Sequence, residues 1–276
     1  IILTDDQGYG DMKCYGNSRL QTPNLDQLAA EGIRFTNFYA GAAASTPSRA
    51  ALLTGRYAER AGLQGVVDDL SVNGLEGDEF TLADYLKQNN YATGIFGKWH
   101  LGCLPEHLPL RHGFNEFFGL PYSNDMWPFH PQPGHPYRAL PLYDNERVVE
   151  YNPTVNHMTT RITERATAFI DKHKNEPFLL YVPYTQPHVP LGVSDKFKGK
   201  SGEGLYADVI MEIDWSVGEI MKTLKENGLD DHTLVLFTSD NGPWLSYGNH
   251  GGSTGGLREG KGTTFEGGQR VPFIAR

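Results

Sequence analysis

Two acidic pairs stand close behind short apolar runs. Asp5-Asp6 follows residues 1–4, and Asp240-Asn241 follows residues 233–238. If those runs are strands, three carboxylates and an amide oxygen meet at neighbouring strand ends. That is a hard-oxygen set suited to a cation. Each pair alone reads equally well as turn-forming residues; their joint placement favours metal. A third feature is Ser45, two residues before Pro47 at the start of a short helical pattern. A nucleophile there feels free N–H groups and the positive helix end. From spacing alone an ordinary N-cap is the better reading of this serine. Lys98 follows Gly97, and Lys261 lies between Gly260 and Gly262, which argues for close backbone approach around both cations.

These residues need a scaffold, and the pattern supplies one. Apolar runs at 1–4, 33–39, 92–96, 178–182 and 233–238 alternate with helical patterns at 22–31, 47–54, 81–89, 157–174 and 206–227. Thr22 and Thr81 read as caps. The alternation predicts an α/β fold with a mostly parallel central sheet sandwiched by helices. Residues 102–152 lack a clear period and read as a long functional excursion. The net charge of −9 disfavours general nucleic-acid binding. Two cysteines allow one bridge at most, and no apolar run is long enough to span a membrane. The 32 glycines and 17 prolines imply shaped loops. Both chain ends fall within apolar runs, so residues 1–276 read as one domain, incomplete at both ends.

The stretch Ser45-Thr46-Pro47-Ser48-Arg49, followed by Leu53-Thr54-Gly55-Arg56, resembles the signature of the type I, formylglycine-dependent sulfatases of the alkaline phosphatase superfamily. Five further blocks match in order: Thr4-Asp5-Asp6-Gln7-Gly8-Tyr9-Gly10-Asp11, Thr22-Pro23-Asn24-Leu25-Asp26, Gly97-Lys98-Trp99-His100-Leu101-Gly102, Ser239-Asp240-Asn241-Gly242, and residues 260–268. The resemblance implies calcium at Asp5, Asp6, Asp240 and Asn241. It implies a formylglycine (3-oxoalanine) at position 45, held by Arg49, with Lys98, His100 and Lys261 on the formylglycine or the sulfate. It places His188 near the leaving oxygen, with Lys261 as the competing proton donor, and Ser123 as a supporting polar group. It implies a formylglycine-generating or serine-type maturase as partner, and a periplasmic, extracellular or lysosomal setting. A smaller C-terminal subdomain is expected beyond the chain.

One position departs from the commoner pattern. Many members carry Cys where this chain has Ser45. Three accounts are open: a serine-type enzyme, an engineered exchange, or an inactive relative that binds sulfated glycans. A hydrated formylglycine offers two hydroxyls, one to attack sulfur and one whose deprotonation expels sulfate; plain serine has only the first. For specificity, Asn124, Asp125, Trp127, His130, His135 and Arg138 form one loop group. Trp244, Tyr247, His250 and Arg258 form another. Aromatics beside polar groups suit a sugar ring, so the expected substrate is a sulfated carbohydrate. Small aryl sulfates are the nearer alternative, and phosphate-diester or phosphonate hydrolysis the more distant one.

Overall fold

The computed structural model describes residues 1–131 and 137–276. Its centre is a sheet whose elements in chain order are β1 (Ile2–Thr4), β2 (Ile33–Phe35), β3 (Ala92–Lys98), β4 (Glu116–Leu120), β5 (Pro141–Asp144), β6 (Arg147–Tyr151), β7 (Phe178–Pro183), β8 (Leu236–Ser239) and β9 (Phe273–Ala275). Their spatial order is β2-β9-β8-β1-β7-β3-β4-β5-β6. β8, β1, β7, β3 and β4 are mutually parallel. Antiparallel partners close both edges, β9 against β8 and β5 against β4. The expected mostly parallel sheet is therefore this inner block.

The inner strands are apolar on both faces because helices cover both. Successive residues of β7 divide between two cores. Leu180 and Val182 pack with Ile162, Phe169, Ile213 and Ile220, whereas Leu179 and Tyr181 pack with Ala50, Leu53 and Ala83. The period-2 alternation of a strand makes that division. One layer holds α1 (Pro23–Glu31), α4 (Met158–His173) and α5 (Leu205–Glu226). The other holds α2 (Ser45–Thr54) and α3 (Leu82–Gln88). A short α6 (Glu266–Gln269) precedes β9. Among the described residues, no helix is long and apolar enough to cross a membrane. Cys14 and Cys103 are both free.

Three local expectations need correction. Ser45 is not an N-cap: α2 begins at Ser45, Ala44 occupies the cap position, and no side chain caps it. Thr22 sits at the cap of α1, but its hydroxyl donates to Asp26 and accepts from Lys13 N. The capping acceptor is Asp214 of α5, whose carboxylate takes Leu25 N at 2.8 Å and Asn24 Nδ2 at 2.8 Å. Thr81, by contrast, forms the expected capping box with Asp84. The stretch 102–152 is not one irregular excursion, since β4 and the β5–β6 hairpin lie in it. The hairpin is an exposed edge ribbon with a bulge between Leu142 and Tyr143, so its alternation is weak in the sequence.

Candidate active site

The carboxyl ends of the parallel strands converge on one spot. Asp5 and Asp6 follow β1, Lys98 ends β3, and Asp240 and Asn241 follow β8. Asp6 and His100 both take positive φ, 67° and 63°, turning the chain sharply where it leaves its strand. Gly97 has φ 139°, and a Cβ there would lie 1.8 Å from Pro183 O. Only glycine lets β3 approach β7 closely enough to deliver Lys98 to Asp5.

Six charges interleave there. The Lys98 ammonium donates to Asp5 Oδ2 at 2.5 Å and to Ser123 Oγ at 3.2 Å. The Arg49 guanidinium bonds Asp240 Oδ2 through Nε at 3.0 Å and through a terminal nitrogen at 2.9 Å. It lies 3.3 Å from Asp5 and donates to Lys98 O at 2.8 Å. The Lys261 ammonium rests on both oxygens of Asp6, at 2.7 and 2.8 Å. Ser45 Oγ is held between donor and acceptor: it gives its proton to Asp240 Oδ2 and accepts from Arg49 Nε, both at 2.7 Å. Asp5, Arg49 and Lys98 are completely buried. Burial alone would raise the Asp5 pKa, but Lys98, His188 and Arg49 outweigh it and hold the carboxyl below its usual value.

Two histidines flank this cluster. His100 is pushed well below its usual pKa by burial, with the Lys98 and Arg49 charges adding, so its ring is neutral. Its Nε2 meets Val67 O at 2.9 Å, and a carbonyl only accepts, so Nε2 carries the proton. Nδ1 is then a buried lone pair without a partner. His188 donates from Nδ1 to Val189 O at 2.5 Å, which leaves Nε2 facing Asp6 Oδ2 at 3.6 Å.

The oxygen set fits a hard cation. Among the described residues, Asp5 Oδ1 and Asn241 Oδ1 are buried with no hydrogen-bond partner, beside Asp6, whose main-chain N–H donates to Asp240 Oδ1 at 3.1 Å. Orphaned buried acceptors of this kind call for a donor or a cation. Asp5, Asp6 and His188 also offer ligand atoms that all lie within 4.8 Å of one another. His188 is thus a ligand candidate that strand-end logic alone does not suggest. Gln7 is another residue the sequence did not single out: it is fully buried with both amide atoms unpartnered.

Of the expected specificity residues, Ser123 touches Lys98. Asn124 is buried and donates to Pro190 O at 3.3 Å, leaving its own oxygen unpartnered. Asp125 feels burial, which raises its pKa, but His188, Ser123, Lys98 and Lys261 together lower it. Trp244 lies at the site: its ring is 5.5 Å from His188, 4.7 Å from Tyr247, and 4.4 Å from the Lys261 ammonium. His250 and Arg258 are exposed, and Arg258 stacks over Phe265 at 3.8 Å instead of touching the cluster. Trp127 packs edge-on to Phe129, and His130 to Tyr137. Arg138 is exposed and bonds Asp69 through its main-chain N–H. His135 lies outside the described residues.

Fold and site together define an α/β protein of the alkaline phosphatase-like kind, with an anion-sized cluster of cations and acids at its strand ends. The sulfatase family model matches residues 1–276, and the chain belongs to that family. It is 44% identical to bovine (Bos taurus) arylsulfatase A over 292 aligned residues, covering 100% of this chain and 58% of that protein. It is 36% identical to the N-acetylgalactosamine-6-O-sulfatase of Bacteroides thetaiotaomicron, covering 100% of this chain and 66% of that protein. Among solved structures, Ps i-CgsB in complex with k-i-k-neocarrahexaose superposes with a TM-score of 0.88 at 35% identity, over 100% of this chain and 64% of that one. The chain therefore spans under two thirds of each of these proteins.

Proposed function

We propose that this chain is the catalytic core of a sulfatase that releases inorganic sulfate from a sulfated carbohydrate. The observation that carries this reading is the alternation of Arg49, Lys98 and Lys261 with Asp5, Asp6 and Asp240 around one hydroxyl, Ser45 Oγ. The six side chains sum to zero charge. Asp5, Asp6, Asp240 and Asn241 would hold a calcium ion, whose positive charge would help to balance that of the sulfate. Lys98 and Lys261 are placed to donate to those oxygens as charge shifts during S–O cleavage. Arg49 holds the side chain of residue 45 in line. Asp240 accepts the Ser45 proton and is the group positioned to take it from a hydroxyl at that point. His188 Nε2 faces the site and is the candidate for protonating the leaving oxygen, with Lys261 as the second.

A maturase that takes two hydrogens from the Ser45 side chain would convert it to formylglycine, and addition of water to that aldehyde would supply the hydroxyl nucleophile. Trp244 offers a ring face beside Lys261 and His188, suited to the C–H face of a sugar. Two of the similar proteins, by name an N-acetylgalactosamine-6-O-sulfatase and an oligosaccharide complex, favour a carbohydrate. The name arylsulfatase A favours an aryl ester as second reading. On family grounds we expect a periplasmic, extracellular or lysosomal setting, and a smaller C-terminal subdomain beside residues 1–276.

Mass spectrometry of the peptide bearing residue 45, paired with sulfate release, tests the proposal. The expected result is a mass two hydrogens below serine in active protein, with faster release from sulfated sugars than from nitrophenyl sulfate. Unmodified serine together with full turnover would sink the nucleophile assignment. Preference for the aryl ester would move the substrate to the second reading.

A further inference from the structure

The opening motif contains more than its two metal-side acids. Asp11, five residues beyond Asp6, is 1% exposed, and its hydrogen bonds go to Gly8, Tyr206 and Ser253, none of them one of the six charged side chains. Its carboxylate is nevertheless fully engaged. Oδ2 accepts from Gly8 N at 2.7 Å and from the Tyr206 hydroxyl of α5 at 2.6 Å, while Oδ1 accepts from Ser253 N at 2.8 Å. The same two loops are also locked backbone to backbone. Gly10 N donates to Ser253 O at 2.9 Å. A Cβ on Gly8 would lie 2.1 Å from Ser253 O, and one on Gly10 would lie 2.5 Å from Gly255 N.

The loops so joined have distinct jobs. One is the turn directly after Asp5 and Asp6. The other is the middle of the segment that begins with Trp244 and ends with Lys261. We propose that Asp11 is a positioning residue for the anion site: its buried carboxylate fixes the loop bearing Trp244 and Lys261 against the turn bearing Asp5 and Asp6. The inference rests on the proposed sulfatase activity for its kinetic consequence, but not for its structural one. An asparagine cannot replace the carboxylate. It keeps one acceptor oxygen, and its amide N–H groups would confront the backbone N–H of either Ser253 or Gly8.

The test uses the matured full-length protein and compares Asp11→Asn with Asp208→Asn. Asp208 is also buried and also satisfied by loop donors, Gly199 N at 2.8 Å and Ser201 N at 2.9 Å, away from the charged cluster. Hydrogen exchange measured by mass spectrometry should show the amides of residues 250–256 exchanging roughly tenfold faster in Asp11→Asn, the loss expected when a buried donor is left unsatisfied. They should stay at the parent rate in Asp208→Asn. Sulfate release should show KM raised roughly tenfold in Asp11→Asn, with kcat falling less than KM rises, and KM unmoved in Asp208→Asn. Unchanged exchange at 250–256 in Asp11→Asn overturns the proposal. So does an equal change in both variants, which would signal a general loss of stability. If the parent protein releases no sulfate, the sulfatase reading fails, and the exchange comparison alone decides the role of Asp11.

Discussion

Lys98 shows how much one side chain carries at this site. It is fully buried, and Asp5 and Ser123 are its partners. Taking an ammonium out of water costs several kcal/mol, and the Asp5 carboxylate is the main group that offsets it. Lys98→Met keeps most of the stem volume and removes the charge. Asp5 is then left with Arg49 at 3.3 Å as its nearest cation. Breaking a buried pair from one side costs about 3–5 kcal/mol. The variant should therefore unfold at a lower temperature in chelator, read by thermal melting. It should also lose sulfate release by at least ~100-fold, as loss of a preorganised donor to the reacting anion does. Parent-level release from Lys98→Met would remove Lys98 from the anion clamp. Ser45 teaches the complementary lesson. Its type and its place near a proline suggested a cap, and only its partners, Arg49 four residues on and Asp240 far along the chain, reveal an aligned hydroxyl.

At the scale of elements, α5 acts as a frame for loops that have no regular structure of their own. Asp208 gathers residues 199–201, Glu212 accepts from Ser194 N at 3.0 Å, and Asp214 caps α1. Asp214 has a measurable consequence. Burial pushes its pKa from 3.8 up to about 6, against the opposing pull of the Leu25 and Asn24 donors. The native state thus holds a proton that the unfolded chain has already released. Stability must fall as pH rises from about 4 to about 6 and level off above that, by about 3 kcal/mol from this group. Urea midpoints across that range should show the slope in the parent protein and a flatter one in Asp214→Asn. Equal slopes would refute the assignment. The elements were largely legible in advance because their signals are local: the Thr81–Asp84 box, the apolar runs of β1, β7 and β8, and the 3.6-residue stripe of α5. The pairing of Asp5-Asp6 with Asp240-Asn241 was also legible, since acids at two parallel strand ends share an edge. What stayed hidden is long-range. Thr22 looks like a cap until Asp214 arrives from another helix. His250 and Arg258 look like neighbours of Lys261 until the loop turns them to the surface. The interlock of Gly8 and Gly10 with residues 253–255 leaves no mark in either segment alone.

For the whole molecule the question is how a chain of net charge −9 would hold the anionic ester proposed as its substrate. Local composition resolves it, because Arg49, Lys98 and Lys261 cancel Asp5, Asp6 and Asp240 within one buried cluster. Neutrality alone would not attract an anion, whereas a bound divalent cation would give the cluster a surplus of two positive charges. The oxygens of Asp5 and Asn241 that have no partner among the described residues would be available to that cation. Binding to the native state alone stabilises it by mass action, about 2.7 kcal/mol at a hundredfold excess over Kd. Calcium should therefore raise the unfolding temperature of chelated protein and restore retention of a sulfated ligand. Magnesium should do both less well, because it demands a tight octahedron that this mixed carboxylate and amide set does not enforce. Calorimetric melts and ligand titration in chelator, calcium and magnesium separate the cases. Identical melts and identical sulfate affinity in all three would show that the six side chains suffice, and that the oxygen cluster is a hydrogen-bond network and not a metal site.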